Sequence, residues 1–314
     1  RVVVAADGAL STDGQPVILV GGNLGDADPV AMERLRRYGL NFASLDVAPN
    51  TAGSGAGLEV LLDAAAANGV AVAVSAMALD QPGHVLGAEG DAADLNSAAA
   101  RQATGAHTAA VSDTVRGRAP LVALSVATSP RFSFGGEDVR AAFAAQAQAT
   151  YGSILALNNA WRSNLRAFDD IGIWHDDEHL SYQYDWQTFH QGLAGRYMQG
   201  LLDIAAERAG SSRVTAAFGE EVLRPGEARH GVDHVGFVAG LPLVACVTED
   251  GDAPHLALSR ESALIVSLLR SMNPGAPVLN LAHAMRSPDR HGALCRRAYV
   301  RSLLEPMLLG FERR

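Results

Sequence analysis

Apolar residues in this chain come in short continuous runs, separated by longer stretches that carry a single apolar stripe. Val17–Val20, Asn41–Val47, Val70–Val74 and Leu121–Val126 are runs of the first kind, the pattern of parallel strands covered on both faces. Arg213–Ala217, Asp233–Val238 and Pro277–Leu281 read as three further strands. The stretches between them read as helices. Asp28-Pro29 supplies an N-cap and a first-turn proline for a helix reaching Tyr38, and Gly39 stops it. Leu58–Asn68 places Leu58, Leu61, Leu62 and Ala65 on one face, and Gly69 ends it. Helices are also predicted from about Ser97 to Val115 and from Glu137 to Tyr151, with a second piece through Trp161. Asp185–Ala209, Ser259–Ser271 and Ala298–Leu309 complete the set. Gly53–Gly57, Ala78–Asn96 and Asp169–Tyr184 read as loops.

Strands alternating with helices predict an α/β fold with a parallel sheet. The regular repetition favours a (β/α)8 TIM-type barrel in one domain over 1–314. At the N-terminus, turn signals at Asp7-Gly8 and Asp13-Gly14 between β-rich segments predict a β-hairpin at about 1–16. No G-x-G-x-x-G follows the first strand, so the usual mark of dinucleotide binding is missing. An eighth strand is not visible: the barrel is open, or its last strand lies beyond the end of the chain.

Charge and composition narrow the chemistry. A net charge of −9 without any basic run argues against nucleic acid as a partner. Every cationic side chain is arginine, so Schiff-base mechanisms on lysine are excluded. Cys246 and Cys295 would pair if the chain is exported, or lie apart as buried thiols. No run of about 18 apolar residues is present, so no membrane-spanning helix is expected. The first residue is Arg1, which fits removal of an upstream segment such as a signal peptide, and equally a boundary drawn within a longer chain. Aromatic residues make up 6 % of the chain, and Trp161, Trp174 and Trp186 fall in one region. Most strand ends therefore lack the flat aromatic faces on which sugar rings stack.

Several stretches together resemble the clan of (β/α)8 retaining glycoside hydrolases, most closely its family 42 β-galactosidase-like branch. Val17–Asn23 (VILVGGN) is similar to the first strand of that clan, and Leu35–Asn50 (LRRYGLNFASLDVAPN) to its first helix and second strand. Tyr151–Trp161 (YGSILALNNAW) resembles the branch's "YG-x-i-x-x-LN-x-A-W" helix. Phe168-Asp169 fits the segment after that helix, and Asp185–Phe189 (DWQTF) fits the opening of the next one. The resemblance implies a catalytic Glu at the end of the fourth strand, in "a-N-E-P-r-f", and another at the end of the seventh, in "P-V-x-N-s-E". Here the fourth strand reads Ala127-Thr128-Ser129-Pro130-Arg131-Phe132, with Ser129 in the acid/base position. The seventh reads Pro277-Val278-Leu279-Asn280-Leu281-Ala282, with Ala282 in the nucleophile position. The third strand's His and Trp are also missing, since Ser75–Pro82 reads SAMALDQP.

Retaining hydrolysis requires two carboxyl groups about 5–5.5 Å apart across the scissile bond. A serine hydroxyl is a poor acid near neutral pH, and alanine attacks nothing. The expectation is a glycosidase-like barrel that has lost hydrolysis and acts as a carbohydrate-binding or scaffolding module, outside the cytoplasm. Asn23, Asp46, Thr128, Arg131, Trp174, Asn280 and His283 are its candidate ligand-binding residues. One alternative is an active glycosidase using displaced carboxylates, with Glu220 and Glu221 after the fifth strand as candidates. Another is a structural domain of a larger assembly with a protein partner or further domains. His175-Asp176-Asp177-Glu178-His179 is rich in metal-capable groups, but neighbours in a loop lack the spacing that makes ligands converge. It reads as a solvated loop, and neither a metal centre nor a cofactor is expected. A Ser129–His283–Asp289 triad fails because Pro130 leaves no N–H after the serine for an oxyanion hole.

Overall fold

The computed structural model describes residues 2–4, 10–12, 14–24, 28–47, 54–76, 93–94, 98–128, 132–133, 136–172, 179–223, 232–250 and 258–285. Seven strands form one parallel sheet: β4 (Gly21–Leu24), β5 (Phe42–Asp46), β6 (Ala71–Ser75), β8 (Leu121–Thr128), β10 (Val214–Phe218), β11 (Val244–Asp250) and β12 (Val278–Met285). They lie side by side in chain order, so each connection returns to the next position without reversal. The sheet curls until its edge strands, β4 and β12, come within 8 Å at their nearest Cα atoms. Two strand spacings would be about 9.5 Å. No ladder joins these edges, and no eighth strand follows β12 among the described residues. This is the (β/α) barrel architecture that the alternation predicts.

Six helices cover the outside: α1 (Pro29–Arg37), α2 (Ser54–Asn68), α3 (Ala98–Val115), α6 (Leu180–Ala209), α7 (His234–Ala239) and α8 (Leu258–Met272). α4 (Glu137–Tyr151) and α5 (Ile154–Trp161) stand apart from this ring, because α3 packs directly on α6. The three strands β1 (Val2–Val4), β2 (Leu10–Thr12) and β3 (Gln15–Pro16) form an antiparallel ribbon, with β1 lying against β8. A two-residue pair, β7 (Ala93–Asp94) with β9 (Phe132–Ser133), is a minor addition.

Apolar side chains sort by face. Val72, Val74, Leu124, Val126, Val214 and Ala216 point outward and pack with Leu58, Leu62, Val111, Met198 and Leu201 of the helices. Ala71, Ala73, Ala123, Ala217 and Ala245 point inward with Phe42, Val122, Leu243, Leu279 and Leu281. Half of these inward apolar residues are alanine, where eight-stranded barrels are filled mainly by bulky branched side chains.

Three predicted elements differ from the structure. Val17–Val20 is not a strand, and the ladder begins at Gly21. Asn41 satisfies that segment instead: its Nδ2 donates to Ile18 O and its Oδ1 accepts from Val20 N, each at 2.8 Å. At Gly21 a Cβ would stand 1.6 Å from Phe42 O, so glycine alone allows the close approach of β4 to β5. Asp233–Val238 is helical, because Asp233 caps α7 by accepting from Val235 N. The sixth strand is β11, a run of buried apolar residues that begins just after Pro242. Finally, α6 starts at Leu180 instead of Asp185. The His179 ring accepts from Ser181 N, an N-cap that residue preferences do not suggest. The helix expected over Ala298–Leu309 lies outside the described residues, as does Cys295, while Cys246 is buried on β11.

Candidate functional site

In parallel barrels the reactive face is at the C-terminal ends of the strands. Four adjacent strands here end in polar side chains that face inward. Leu45 and Val47 belong to the outer cluster, so alternation turns Asp46 of β5 to the interior. Asn23 of β4 meets it, donating from Nδ2 to Asp46 Oδ2 at 2.8 Å. Asp46 and Ser75 of β6 are paired in the ladder, and the Ser75 hydroxyl lies 3.1 Å from that of Thr128 on β8. The result is a continuous arc of amide, carboxylate and two hydroxyls. Below it, Ser44, Ser125 and Thr215 are buried at inward positions. Thr215 donates to Leu243 O at 2.7 Å and Ser125 to Ala127 O at 2.7 Å, so these hydroxyls are satisfied within the barrel.

His107 of α3 holds this arc from outside. Its Nε2 reaches Val47 O at 3.1 Å and Ala76 O more closely. Both partners are carbonyls, so Nε2 carries the proton and donates to both. The two carbonyls directly follow Asp46 and Ser75. A histidine on the barrel-facing side of a helix, beside buried Thr104, Thr108 and Val111, is the sequence signal that would have identified it.

The remaining candidates are distributed differently. Asn280 lies between Leu279 and Leu281, which are both in the interior cluster, so its side chain turns to the helix-covered face. There it donates to Thr248 Oγ1 at 2.9 Å, and its Oδ1 is buried without a hydrogen-bond partner. β12 continues through Ala282, paired with Val247, and His283, paired with Thr248. Glu220 and Glu221 begin a 3-10 turn directly after β10, at the same end of the barrel. β11 ends in Glu249-Asp250, carboxylates that a sixth strand placed at Asp233–Val238 leaves out of sight. Ser129, Arg131, Trp174 and the segment from His175 to Glu178 lie outside the described residues. No group of three or more metal-capable side chains occurs among the described residues.

Beside the mouth stands a second, aromatic cluster made by α4, α5 and the first half of α6. Phe143 is its centre, stacked on Trp161 with ring centroids 5.8 Å apart and meeting Trp186 edge-on at 5.0 Å. Tyr182 and Phe189 complete it. Trp161 Nε1 donates to Asp185 Oδ2 at 2.7 Å, and the Tyr151 hydroxyl donates to the same oxygen. Burial, and then the hydrogen bond to the Asp185 carboxylate, push the Tyr151 hydroxyl above its usual value. Asn158 orders the following loop through Leu165 O, Leu165 N and Ser163 Oγ. The tyrosine, asparagine and tryptophan of the Tyr151–Trp161 stretch, like Asp185, thus serve packing and hydrogen bonding in this cluster.

The fold matches solved glycoside hydrolases at low sequence identity. A catalytic mutant of a GH42 β-galactosidase from G. stearothermophilus superposes with a TM-score of 0.69 at 16 % identity, over 85 % of this chain and 45 % of that one. The cold-adapted β-galactosidase of Rahnella sp. R3 gives 0.68 at 13 %, over 84 % and 44 %. The catalytic domain of the Paenibacillus polymyxa β-amylase gives 0.60 at 14 %, over 89 % of both chains. The chain thus spans less than half the length of the two β-galactosidases. No family model matches the sequence, and no curated protein sequence does. The fold is of the glycoside hydrolase barrel type.

Proposed function

We propose that this chain is a glycosidase-like barrel that has lost hydrolysis and retains carbohydrate binding. One observation carries the reading. At the two strand ends where the family 42 resemblance puts catalytic glutamates, this chain has Ser129, directly after β8, and Ala282, within β12. Without an acid to protonate the leaving oxygen and a carboxylate to attack the anomeric carbon, the retaining route has no chemistry to follow. The inward polar arc would remain as a set of hydrogen-bond partners for sugar hydroxyls. Nitrophenyl β-galactoside and β-glucoside assays test this: the expected result is no turnover above buffer, together with binding on a glycan panel. Turnover that disappears in Glu221→Gln would overturn it.

That last outcome belongs to a second reading, an active glycosidase with displaced carboxylates. Its support is the placement of Glu220-Glu221 after β10 and Glu249-Asp250 at the end of the adjacent β11.

A further inference from the structure

Of the four inward groups on β4, β5, β6 and β8, Asp46 alone is charged. We infer that Asn23 and Asp46 form a clamp for two adjacent hydroxyls of an uncharged sugar. The inference rests on the carbohydrate-binding reading and specifies its ligand class. Asn23 is exposed and Asp46 half-buried, so both are within reach of a ligand at the mouth. Among the described residues the Asp46 carboxylate has no cationic partner and accepts one hydrogen bond, the 2.8 Å contact from Asn23. A carboxylate that accepts one amide N–H keeps lone pairs for hydroxyl donors, and such bonds are charge-assisted. Asn23 retains a second N–H and its carbonyl oxygen, which suit the neighbouring hydroxyl. Adjacent hydroxyls on a sugar ring present this pairing: one donates to the carboxylate while the next exchanges hydrogen bonds with the amide. The hydroxyls of Ser75 and Thr128 extend the polar wall across the next two strands.

The same carboxylate sets the charge preference. A uronate or sulfated sugar would bring a second negative charge beside Asp46, with no counter-ion among the described residues of this arc to offset the repulsion. The clamp therefore selects neutral glycans.

Titration calorimetry with lactose, cellobiose and mannobiose, and with galacturonate and glucuronate as anionic counterparts, tests the clamp. The expected result is binding of at least one neutral disaccharide and of neither uronate. Asp46→Asn should weaken that binding about tenfold or more, and Asn23→Ala by a smaller factor. Thermal midpoints of both variants check that the loss is local. Should Asp46→Asn fail to fold, the exposed Asn23 carries the same comparison. Neutral binding that neither variant weakens, or equal binding of the uronates, overturns the clamp and leaves carbohydrate binding standing. Absence of binding by every sugar overturns both.

Discussion

At the mouth of the barrel β4, β5, β6 and β8 turn Asn23, Asp46, Ser75 and Thr128 inward, small or polar and held by backbone geometry and a few hydrogen bonds. In the cluster beside it, Phe143, Trp161, Tyr182, Trp186 and Phe189 bury large rings against one another. Each region departs from what the resemblance to sugar-cleaving barrels leads one to expect. Among the described residues the arc carries no aromatic ring, while the aromatics beside it serve packing. The difference teaches that family-like residues need not be the chemical ones. Tyr151–Trp161, the stretch whose sequence resembles family 42, works as a clamp between helices.

Perturbing each region separately sharpens this contrast. The largest effect is expected for Phe143→Ala, which empties the centre of the aromatic cluster and should cost about 3–5 kcal/mol in denaturant unfolding. The near-ultraviolet aromatic signal should collapse before the sheet melts. A simultaneous loss would show the two regions to be one cooperative unit. Next is Gly21→Ala on the barrel side, about 3 kcal/mol, because the new Cβ forces β4 away from Phe42 O. Hydrogen exchange should then rise in β4 while α4 and α5 stay protected. Asp185→Ala should cost about 1–3 kcal/mol by stranding the Tyr151 hydroxyl and the Trp161 N–H.

The smallest effects come from pH and act on the two regions from opposite sides. The folded-state value of Tyr151 is raised, so the stability it contributes is full at neutral pH and falls as pH climbs past the ordinary tyrosine range. Tyr151→Phe should flatten that alkaline loss. His234, edge-on to Phe218 at the end of β10, is lowered by burial, with Asp233 opposing. Its contribution is full above the ordinary histidine range and falls as pH drops toward the lowered value. His234→Phe should therefore flatten the acid side alone. Unfolding midpoints across pH for the two variants and the parent measure both limbs.

Much of the barrel was legible because its strands are continuous apolar runs and its helices end in glycine. Gly39, Gly69 and Gly152 all adopt positive φ at helix ends. The sixth strand was not legible, since the period of Asp233–Val238 does not distinguish a short capped helix from a strand. That ambiguity hid Glu249 and Asp250. At the mouth, the apolar run of the second strand put Asp46 at a strand end, where β5 has it. Turning Asn280 away from the interior required knowing that Leu279 and Leu281 belong to the inner cluster.

The linear chain by itself determined the alternating strands and helices, the charge balance, and which residue types stand at each strand end. Those are properties of local periodicity and composition, and they survive any placement of the elements. Tertiary structure decided which polar groups meet. Asn23 and Asp46 are separated by 23 positions and Ser75 and Thr128 by 53, and both pairs become neighbours through sheet register. The curl of the sheet, through Gly21 and small inward residues, brings β4 round toward β12. These outcomes depend on distances summed over the whole barrel, which no local window of sequence contains.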